Sequence, residues 1–442
     1  MFSLSMVTAI VCSLFVGAVA TLWTQIPWAL TQRNFTSEPS ARRWQIGFGL
    51  SMVVMFPWLG AMMIGDEAGK SVQVVMFIDI LAVTLSLAWL GQHQSLRSGL
   101  LAVLLFSLAI PGIILPTFVM LPQALGFSPV FALNVGFVGV SLGALLSPYL
   151  FKLVWKRFNF RHGFLILALA CLLPALLVAI TDAENFSPPP PPPPVPAKQD
   201  QKDQKPLAKN AKHVPAEAPV PDSPPRDSHW WVLMMLAFVM APLEALSLIW
   251  RKGFLAQHDA ANRLTRPGFW IAYLGMCLFA GWIIRDGYAA WWLLGLAGVH
   301  AMILGHLAGD YGHRGSTFGF WLAGATFAPI TPTLLAVPFI FYSNFQETAV
   351  LGWVLGVMAL SQCLWALLVE RIVEKWSTPA VLHLALMLIL VFAALALTLA
   401  LMHSELYGNP TRIRRPHRWP WRTHAAVQLI GVEYPSCFGA AT

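Results

Sequence analysis

The amino-acid sequence predicts an all-α membrane protein with about twelve transmembrane helices in two six-helix bundles. Of its 442 residues, 57% are hydrophobic and only 11% are charged, and the mean hydropathy is +0.65. Soluble domains carry about 25% charged residues. Apolar runs long enough to cross the roughly 30 Å of hydrocarbon in a bilayer recur along the whole chain. The composition therefore predicts an integral protein, and we expect it in the inner (plasma) membrane.

Charges, prolines and glycine clusters divide the apolar runs into six helices on either side of one polar segment. The predicted helices before it span 5–30, 44–64, 72–91, 98–121, 128–151 and 161–181. Those after it span 229–250, 267–284, 288–308, 316–342, 347–370 and 378–403. The first run has the length of a signal peptide, but it has no positively charged start and continues past Ala20. We therefore interpret it as the first membrane helix.

The polar segment divides the chain into four parts. We predict an N-terminal bundle over 1–182, a linker over 183–228, a C-terminal bundle over 229–403 and a basic, Trp- and Pro-rich tail over 404–442. From Ser187 the linker reads "SPPPPPPPVP"; it is rich in Pro, Lys, Ala and Gln, and it holds no Phe, Trp or Tyr between Phe186 and Trp230. Such a composition predicts disorder. Two six-helix halves around one linker are typical of a duplicated transporter, whose path runs between the halves.

An internal repeat is one explanation for two similar stretches. "LAWLGQHQSLRSGLLAVLLFSLAIPGIILP" spans the third and fourth helices, and "ILGHLAGDYGHRGSTFGFWLAGATFAPITP" spans the ninth and tenth. Each contains a Gly-rich turn with an Arg, followed by an apolar run that a Pro interrupts. A chance match of turn composition is the other explanation, and both stay open here.

Two motifs in the first half carry a family resemblance. In "GAMMIGDEAGKS", the spacing of Asp66, Gly69 and Lys70 is similar to the acidic, Gly and basic core of the loop between helices two and three in the major facilitator superfamily. The fifth helix, "LNVGFVGVSLGALLSP", resembles that family's Gly-rich fifth helix, which ends near a proline. The start of the sixth, "LVWKRFNFRHGFLILALA", is also similar. The resemblance implies a transporter of twelve helices that works by alternating access.

The resemblance also suggests roles for individual residues. Asp66, Gly69 and Lys70 would be gate or hinge contacts at helix ends, as would Asp310 and Arg314 of "GHLAGDYGHR" in the second half. Small residues let helices approach closely and Pro allows a bend, so the fifth helix supplies packing residues at Gly139, Gly143 and Pro148. Two features depart from the family pattern. Met62 stands where the loop motif has a Gly, and Asp310 follows the ninth helix, one loop too late. The expected loop, "GWIIRDGYAAWW", keeps Gly281, Arg285, Asp286 and Gly287 out of register.

The positive charges leave the sidedness of the chain open. Connections after odd-numbered helices hold 15 Lys and Arg residues, and those after even-numbered helices hold Lys70 and Arg285. Because positive residues mark the cytoplasmic side, this bias puts both termini and the linker outside. The family resemblance puts all three inside. The 15 residues are Arg33, Arg42, Arg43, Arg97, Lys152, Lys156, Arg157, Arg161, Arg251, Lys252, Arg263, Arg266, Arg314, Arg371 and Lys375.

Two carboxylates inside predicted helices are the strongest candidates for chemistry. An ionisable group in hydrocarbon is costly unless it faces a partner or a wet cavity. Asp79 lies in the third helix among apolar neighbours, and Glu244 lies in the seventh, two residues after Pro242. A carboxylate removed from water can bind and release a proton near neutral pH, as a proton-coupled carrier requires. The alternative is that each carboxylate pairs with a polar group of a neighbouring helix.

Four further polar residues could line a substrate path: Asn134, Tyr273, His300 and Gln362. His300 and His306 are six residues apart and therefore lie on different faces of a helix, which does not suit a metal pair. The chain's five cysteines show no paired spacing. We therefore expect no metal site, no cofactor and no catalytic residue, and the sequence contains neither a Gly-x-Ser-x-Gly nor a Walker pattern.

Three functions remain compatible with the sequence. The first is a secondary transporter for a small solute, possibly coupled to protons through Asp79 or Glu244. The second is a non-transporting subunit or assembly factor with protein partners in a membrane complex. The third is an enzyme acting on lipid-linked substrates at "WRKGFLAQHDAANRLTR", which we interpret as a solvated connection. The net charge of +8 resides in short connections and the tail, so we expect anionic lipids and not nucleic acid as its partner.

Overall fold

A computed structural model describes nine stretches of the chain. They are residues 3–31, 36–63, 68–126, 128–182, 228–258, 265–309, 316–342, 346–375 and 377–407. The predicted linker, apart from Ser228, and the basic tail after Tyr407 lie outside the described residues. Fifteen α-helices occupy nearly all of the described chain.

The first half contains α1 (Leu4–Thr31), α2 (Glu38–Met62), α3 (Ala68–Gln92), α4 (Leu96–Ala109), α5 (Pro111–Leu125), α6 (Pro129–Arg157), α7 (Phe160–Ala170) and α8 (Leu172–Ile180). The second half contains α9 (Ser228–His258), α10 (Thr265–Ile283), α11 (Ala289–Gly309), α12 (Ser316–Phe327), α13 (Ile330–Phe341), α14 (Gln346–Lys375) and α15 (Thr378–Tyr407). A 3₁₀ turn over Asp286–Tyr288 precedes α11.

These helices form twelve membrane segments, six in each half. In the described residues, 11 segments are long and apolar enough to span a bilayer, and Gly268–Ile283 of α10 is a shorter apolar helix. Three segments consist of two helices each: α4 with α5, α7 with α8, and α12 with α13. The chain is therefore an integral, multi-pass membrane protein, and the predicted fold class of twelve helices is confirmed.

Prolines account for two of the three interruptions. Pro111 begins α5 directly after Ile110, and Pro329 precedes the first residue of α13. Proline has no N–H to donate, so the i−4 hydrogen bond of the helix is lost there. These are the two prolines of the similar stretches, at comparable depths of segments four and ten. Duplication of the two halves stays a prediction.

Contacts at the helix ends define two faces of the protein. We call the end that contains Met63, Gly126, Asp182, Ser228 and Asp286 the linker face, and the opposite end the far face. The Thr8 and Thr181 hydroxyls lie 2.7 Å apart and join the first and last segments of the N-terminal half at the linker face. His403 of α15 and His229 of α9 both pack on Phe341 at the same face. With six segments per half, both ends of the described chain and of the linker lie on one side.

The halves are joined most extensively by two helix pairs, α2 with α14 and α6 with α10, and α6 also packs against α13. The α2–α14 contact extends along both helices. At Gly49 a β-carbon would lie 3.1 Å from the Cys363 sulfur, and nearer the linker face Gly60 packs beside Thr348. The α6–α10 pair is tight at the linker face, where Gly281 packs against Phe131 and Asn134. Farther along α6, Leu146, Tyr149, Leu150 and Leu153 are each at least 50% exposed. The halves therefore meet closely at the linker face.

Candidate functional site

Glu244 lies in a part of α9 where a proline opens the backbone. Pro242 cannot donate to the carbonyl of Phe238, four residues earlier. The Ser361 hydroxyl of α14 donates to that carbonyl at 2.6 Å. A side chain of the neighbouring helix thus replaces the missing hydrogen bond, as is common where Pro interrupts a membrane helix. This contact fixes α14 beside Glu244.

Three helices of the C-terminal half supply the immediate surroundings of the Glu244 carboxyl group. The Thr331 hydroxyl of α13 donates to Glu244 Oε1 at 2.7 Å. The Gln362 side chain of α14 is a second hydrogen-bond partner of the same carboxyl group. The backbone carbonyl of Glu244 accepts from the Ser247 hydroxyl at 2.7 Å. Glu244 is therefore held by polar groups and does not face lipid.

The cluster continues to the N-terminal half through Tyr273. Tyr273 of α10 lies within electrostatic range of Glu244 and of Arg251, and its hydroxyl has the Ser141 side chain of α6 as a hydrogen-bond partner. Ser141 and Tyr273 are both near the middle of their helices. The polar groups therefore lie between the two bundles, at mid-depth. We call Ser141, Glu244, Arg251, Tyr273, Thr331 and Gln362 the central cluster.

Members of the central cluster differ in how far they are exposed. Gln362 is exposed, and Glu244, Arg251 and Tyr273 are half-buried, whereas Thr331 and Ser141 are buried. Gln362 contacts Glu244, which also accepts from Thr331, so the exposed part of Gln362 lies beside the polar groups of the cluster. Carboxyl, amide, phenol and guanidinium groups come together there, a combination suited to hold a polar solute.

Asp79 is separate from the central cluster. It lies on α3, and its carboxylate rests against Gly112 at the start of α5, within the N-terminal half. A β-carbon at Gly112 would overlap Asp79 Oδ2, so this close approach requires a glycine. The two carboxylates that the sequence offers as equivalent candidates thus have different surroundings, and of the two only Glu244 belongs to the central cluster.

His300 and Asn134 also lie outside the central cluster. His300 is buried in the C-terminal half, where its Nδ1 pairs with the Thr326 hydroxyl at 2.9 Å and its ring packs on Phe327. Asn134 is buried near the linker face and donates to the Val130 carbonyl at 2.9 Å. Within the described ranges, no three His, Cys, Asp or Glu side chains are grouped so that they could hold a metal ion.

The residues suggested by the family resemblance fall in different places. Asp66, Asp310 and Arg314 lie outside the described residues. Gly69 and Lys70 are in the first turn of α3, where Lys70 is exposed.

The glycines of α6 contact α1. A β-carbon at Gly143 would overlap the Leu14 carbonyl oxygen, and one at Gly139 would lie 2.8 Å from Ser13 Cβ. These glycines pack inside the N-terminal bundle, whereas Pro148 is exposed on the same helix.

Asp286 makes a contact between the halves that the sequence did not reveal. Its Oδ1 accepts the N–H of Val130 at 3.3 Å, across the linker face. α6 begins at Pro129, and the Ser128 hydroxyl accepts only the N–H of Phe131, so Asp286 satisfies a donor that the helix start leaves free. A carboxylate at a helix N-terminus is also stabilised by the helix dipole. Asp286 therefore contributes to closure of the linker face.

Replacing Asp286 with Asn is expected to weaken this closure moderately. The amide keeps an acceptor oxygen but loses the charge, a change worth about 0.3–1 kcal/mol at a helix terminus. We expect the fraction of molecules closed at the linker face to fall, measured as the distance between spin labels at Met62 and Trp282. Arg285→Gln, which alters an exposed charge one residue away, is the control. If the Met62–Trp282 distance is the same in Asp286→Asn and Arg285→Gln, Asp286 does not contribute to closure of the linker face.

Three solved transporter structures are similar to this chain along nearly all of its length. The human organic anion transporter MFSD10 superposes with a TM-score of 0.62 at 14% identity, covering 89% of this chain and 99% of that one. The Escherichia coli fucose:proton symporter FucP, in the outward conformation, gives 0.60 at 15%, with 89% and 98% covered. The chain has the fold of the major facilitator superfamily. The proton:xylose symporter XylE gives 0.60 at 10%, covering 91% and 95%. No protein-family sequence model and no curated protein matches.

The facilitator fold confirms the resemblance read from the loop and fifth-helix motifs. In this fold the central cluster lies at the boundary of the two six-helix halves. Substrate sites in transporters built from two repeats lie near the bilayer midplane at such a boundary. At identities of 10–15% the similarity concerns the fold, so any function has to be argued from the side chains.

Proposed function

We propose that this protein is a secondary transporter of the inner (plasma) membrane, which moves a small solute by alternating access between its two six-helix bundles. The observation that carries the proposal is the central cluster, which joins a carboxylate, an amide and a guanidinium of one bundle to a hydroxyl of the other. Groups of this kind are costly inside a membrane and persist where they serve a solute or an ion. The cluster has members on both bundles.

The contacts between the bundles support a rocking motion. Asp286 and Gly281 hold α10 and its following turn to the start of α6 at the linker face. Tyr273 and Ser141 meet at mid-depth, and beyond them α6 has exposed side chains. A pair of helices held together at one end and at mid-depth can tilt as a rigid body so that its other end closes. In this proposal the described conformation is the one closed at the linker face.

Glu244 is the proposed proton-coupling residue. Its hydroxyl and amide partners can donate to a carboxylate, and the Thr331 hydroxyl and the Gln362 carbonyl can accept from a protonated acid. The site can therefore hold either protonation state without leaving a buried group unpaired. Asp79 has no place in this step, because it lies inside the N-terminal bundle beside Gly112.

Distances measured at both faces test the proposal. Spin labels at Met62 and Trp282 report on the linker face, and labels at Tyr149 and Ile271 report on the far halves of α6 and α10; all four side chains are at least 52% exposed. In lipid nanodiscs we expect two populations in which the first pair separates as the second approaches. One unchanging distance for both pairs, across pH and in the variants described below, would favour a non-transporting membrane subunit.

A further inference from the structure

Arg251 is a cation at the end of the membrane segment Ser228–Arg251, held in a defined orientation. Its Nε donates to the Ser247 carbonyl at 3.0 Å, one turn earlier on α9. The guanidinium carbon lies 4.8 Å from the ring centroid of Phe269 and 5.5 Å from that of Trp270, both on α10. The stretch interpreted as a solvated connection thus begins within α9, which continues to His258, and Arg251 packs on α10.

The interactions of Arg251 leave its terminal amino groups available. Backbone and aromatic partners satisfy the Nε donor and the flat faces of the group. Within the described part of the chain, no carboxylate pairs with Arg251. A guanidinium presents its terminal N–H groups as a planar fork that matches a carboxylate. A cation at the end of a membrane segment, with no counter-charge among the described residues, is therefore matched to an anion that arrives from outside.

Glu244 and Arg251 lie on the same side of α9. They are seven residues apart, which is two helical turns and about 10 Å along the axis. Tyr273 lies within electrostatic range of both. The central cluster thus has a cationic end at Arg251, a hydrogen-bonding end at Glu244 and Gln362, and an aromatic side chain near both.

We propose that the central cluster binds a small organic anion with a planar apolar body, whose carboxylate faces Arg251. This inference rests on the proposed function, since it names the substrate class of the same site. Arg251 supplies a bidentate contact to the carboxylate. Trp270 and Tyr273 contact the body of the anion, and a polar substituent reaches Glu244 and Gln362. The guanidinium would repel a cationic solute. An inorganic anion would make no apolar contact with Trp270 and Tyr273.

Thermal unfolding of the full chain in nanodiscs tests the proposal with two matched probes, benzoate and benzamide. They have the same ring and differ in charge. At neutral pH and millimolar concentration we expect benzoate to raise the Tm and benzamide to leave it unchanged. Arg251→Gln should weaken benzoate binding about tenfold or more, because it removes a charged hydrogen-bond partner. Arg161→Gln, at an exposed position of α7, is the control for net charge.

A third variant keeps the test valid if Arg251→Gln folds poorly. Arg251→Lys retains the charge but loses the planar fork, so intermediate benzoate binding is expected. Equal stabilisation by benzoate and benzamide, or unchanged benzoate binding in both Arg251 variants, would overturn the anion site. If the spin-label distances still alternate in that case, the transporter proposal stands without it. If benzoate binds through Arg251 while the distances never change, the anion site stands and the transport cycle fails.

Discussion

Glu244→Gln is expected to make the conformational balance of the protein insensitive to pH. Glutamine has the shape of the protonated acid but cannot ionise. Between pH 5 and pH 8 we expect the wild-type Met62–Trp282 distance distribution to change, because a proton entering the central cluster alters its contacts with Thr331 and Gln362. The variant should keep the low-pH distribution of the wild type throughout. Distance measurements in nanodiscs at both pH values provide the comparison.

Asp79→Asn is the matched control, since it neutralises the other carboxylate of the membrane segments that sequence reasoning selected. Asp79 contacts Gly112 inside one bundle, so its neutralisation should leave the pH response between bundles intact. In proteoliposomes, uptake of the impermeant anion benzenesulfonate under a pH gradient should likewise survive Asp79→Asn and be lost in Glu244→Gln. A pH response that disappears only in Asp79→Asn would reverse these assignments.

The membrane class and the twelve segments could be predicted from the sequence because they depend on local properties. Hydropathy and length identify a span without knowledge of its neighbours. Prolines and charges mark where spans end, although α9 extends eight residues beyond the predicted end at 250. Arg251, Lys252 and His258 look like a connection when only charge is considered. The helix continues through Arg251, however, and the guanidinium of this residue packs on the rings of Phe269 and Trp270.

The composition of the central cluster could be predicted only in part. Glu244, Tyr273 and Gln362 were selected because each is a polar residue within an apolar run. Their meeting depends on helix rotation and on packing among α9, α10 and α14, which no periodicity in a uniformly apolar helix reveals. For the same reason Asn134 and His300, selected by the same rule, lie elsewhere. Thr331 and Ser141 carried no signal of their own, and Arg251 stood out only as part of a charged stretch interpreted as a connection.

Asp286 shows a different limit of sequence reasoning. The loop "RDGYAA" was recognised as the second-half counterpart of the family's loop motif but is out of register with it. Its carboxylate nevertheless reaches the N–H of Val130 on the other bundle. The contact depends on the position of the acidic group relative to a helix start far away in sequence, which a local motif does not encode. Helix starts with Pro at the first position are where such partners can be sought.

Gly352→Val is expected to shift the protein strongly away from closure at the linker face. A β-carbon at Gly352 of α14 would lie 2.6 Å from the Phe56 carbonyl oxygen of α2, and one at Gly60 would lie 2.9 Å from that of Thr348. Both contacts involve backbone atoms, which cannot rotate away. The overlap is relieved only if α2 and α14 separate, and in the closed state it costs about 1–3 kcal/mol of overpacking. Since about 1.4 kcal/mol is tenfold in population, the closed state should lose about one to two orders of magnitude.

Gly47→Val is the control for Gly352→Val. Gly47 lies on α2, the helix that α14 contacts, and a β-carbon at Gly47 would have nothing within 4 Å. It introduces the same β-branched residue without touching α14. The Met62–Trp282 distance should lengthen in Gly352→Val and stay unchanged in Gly47→Val, with Gly352→Ala in between. If the α2–α14 contact were instead a permanent structural joint, Gly352→Val would lower the Tm and leave the distance unchanged. That outcome would show that the bundles do not separate at the linker face, and the rocking mechanism would have to be abandoned.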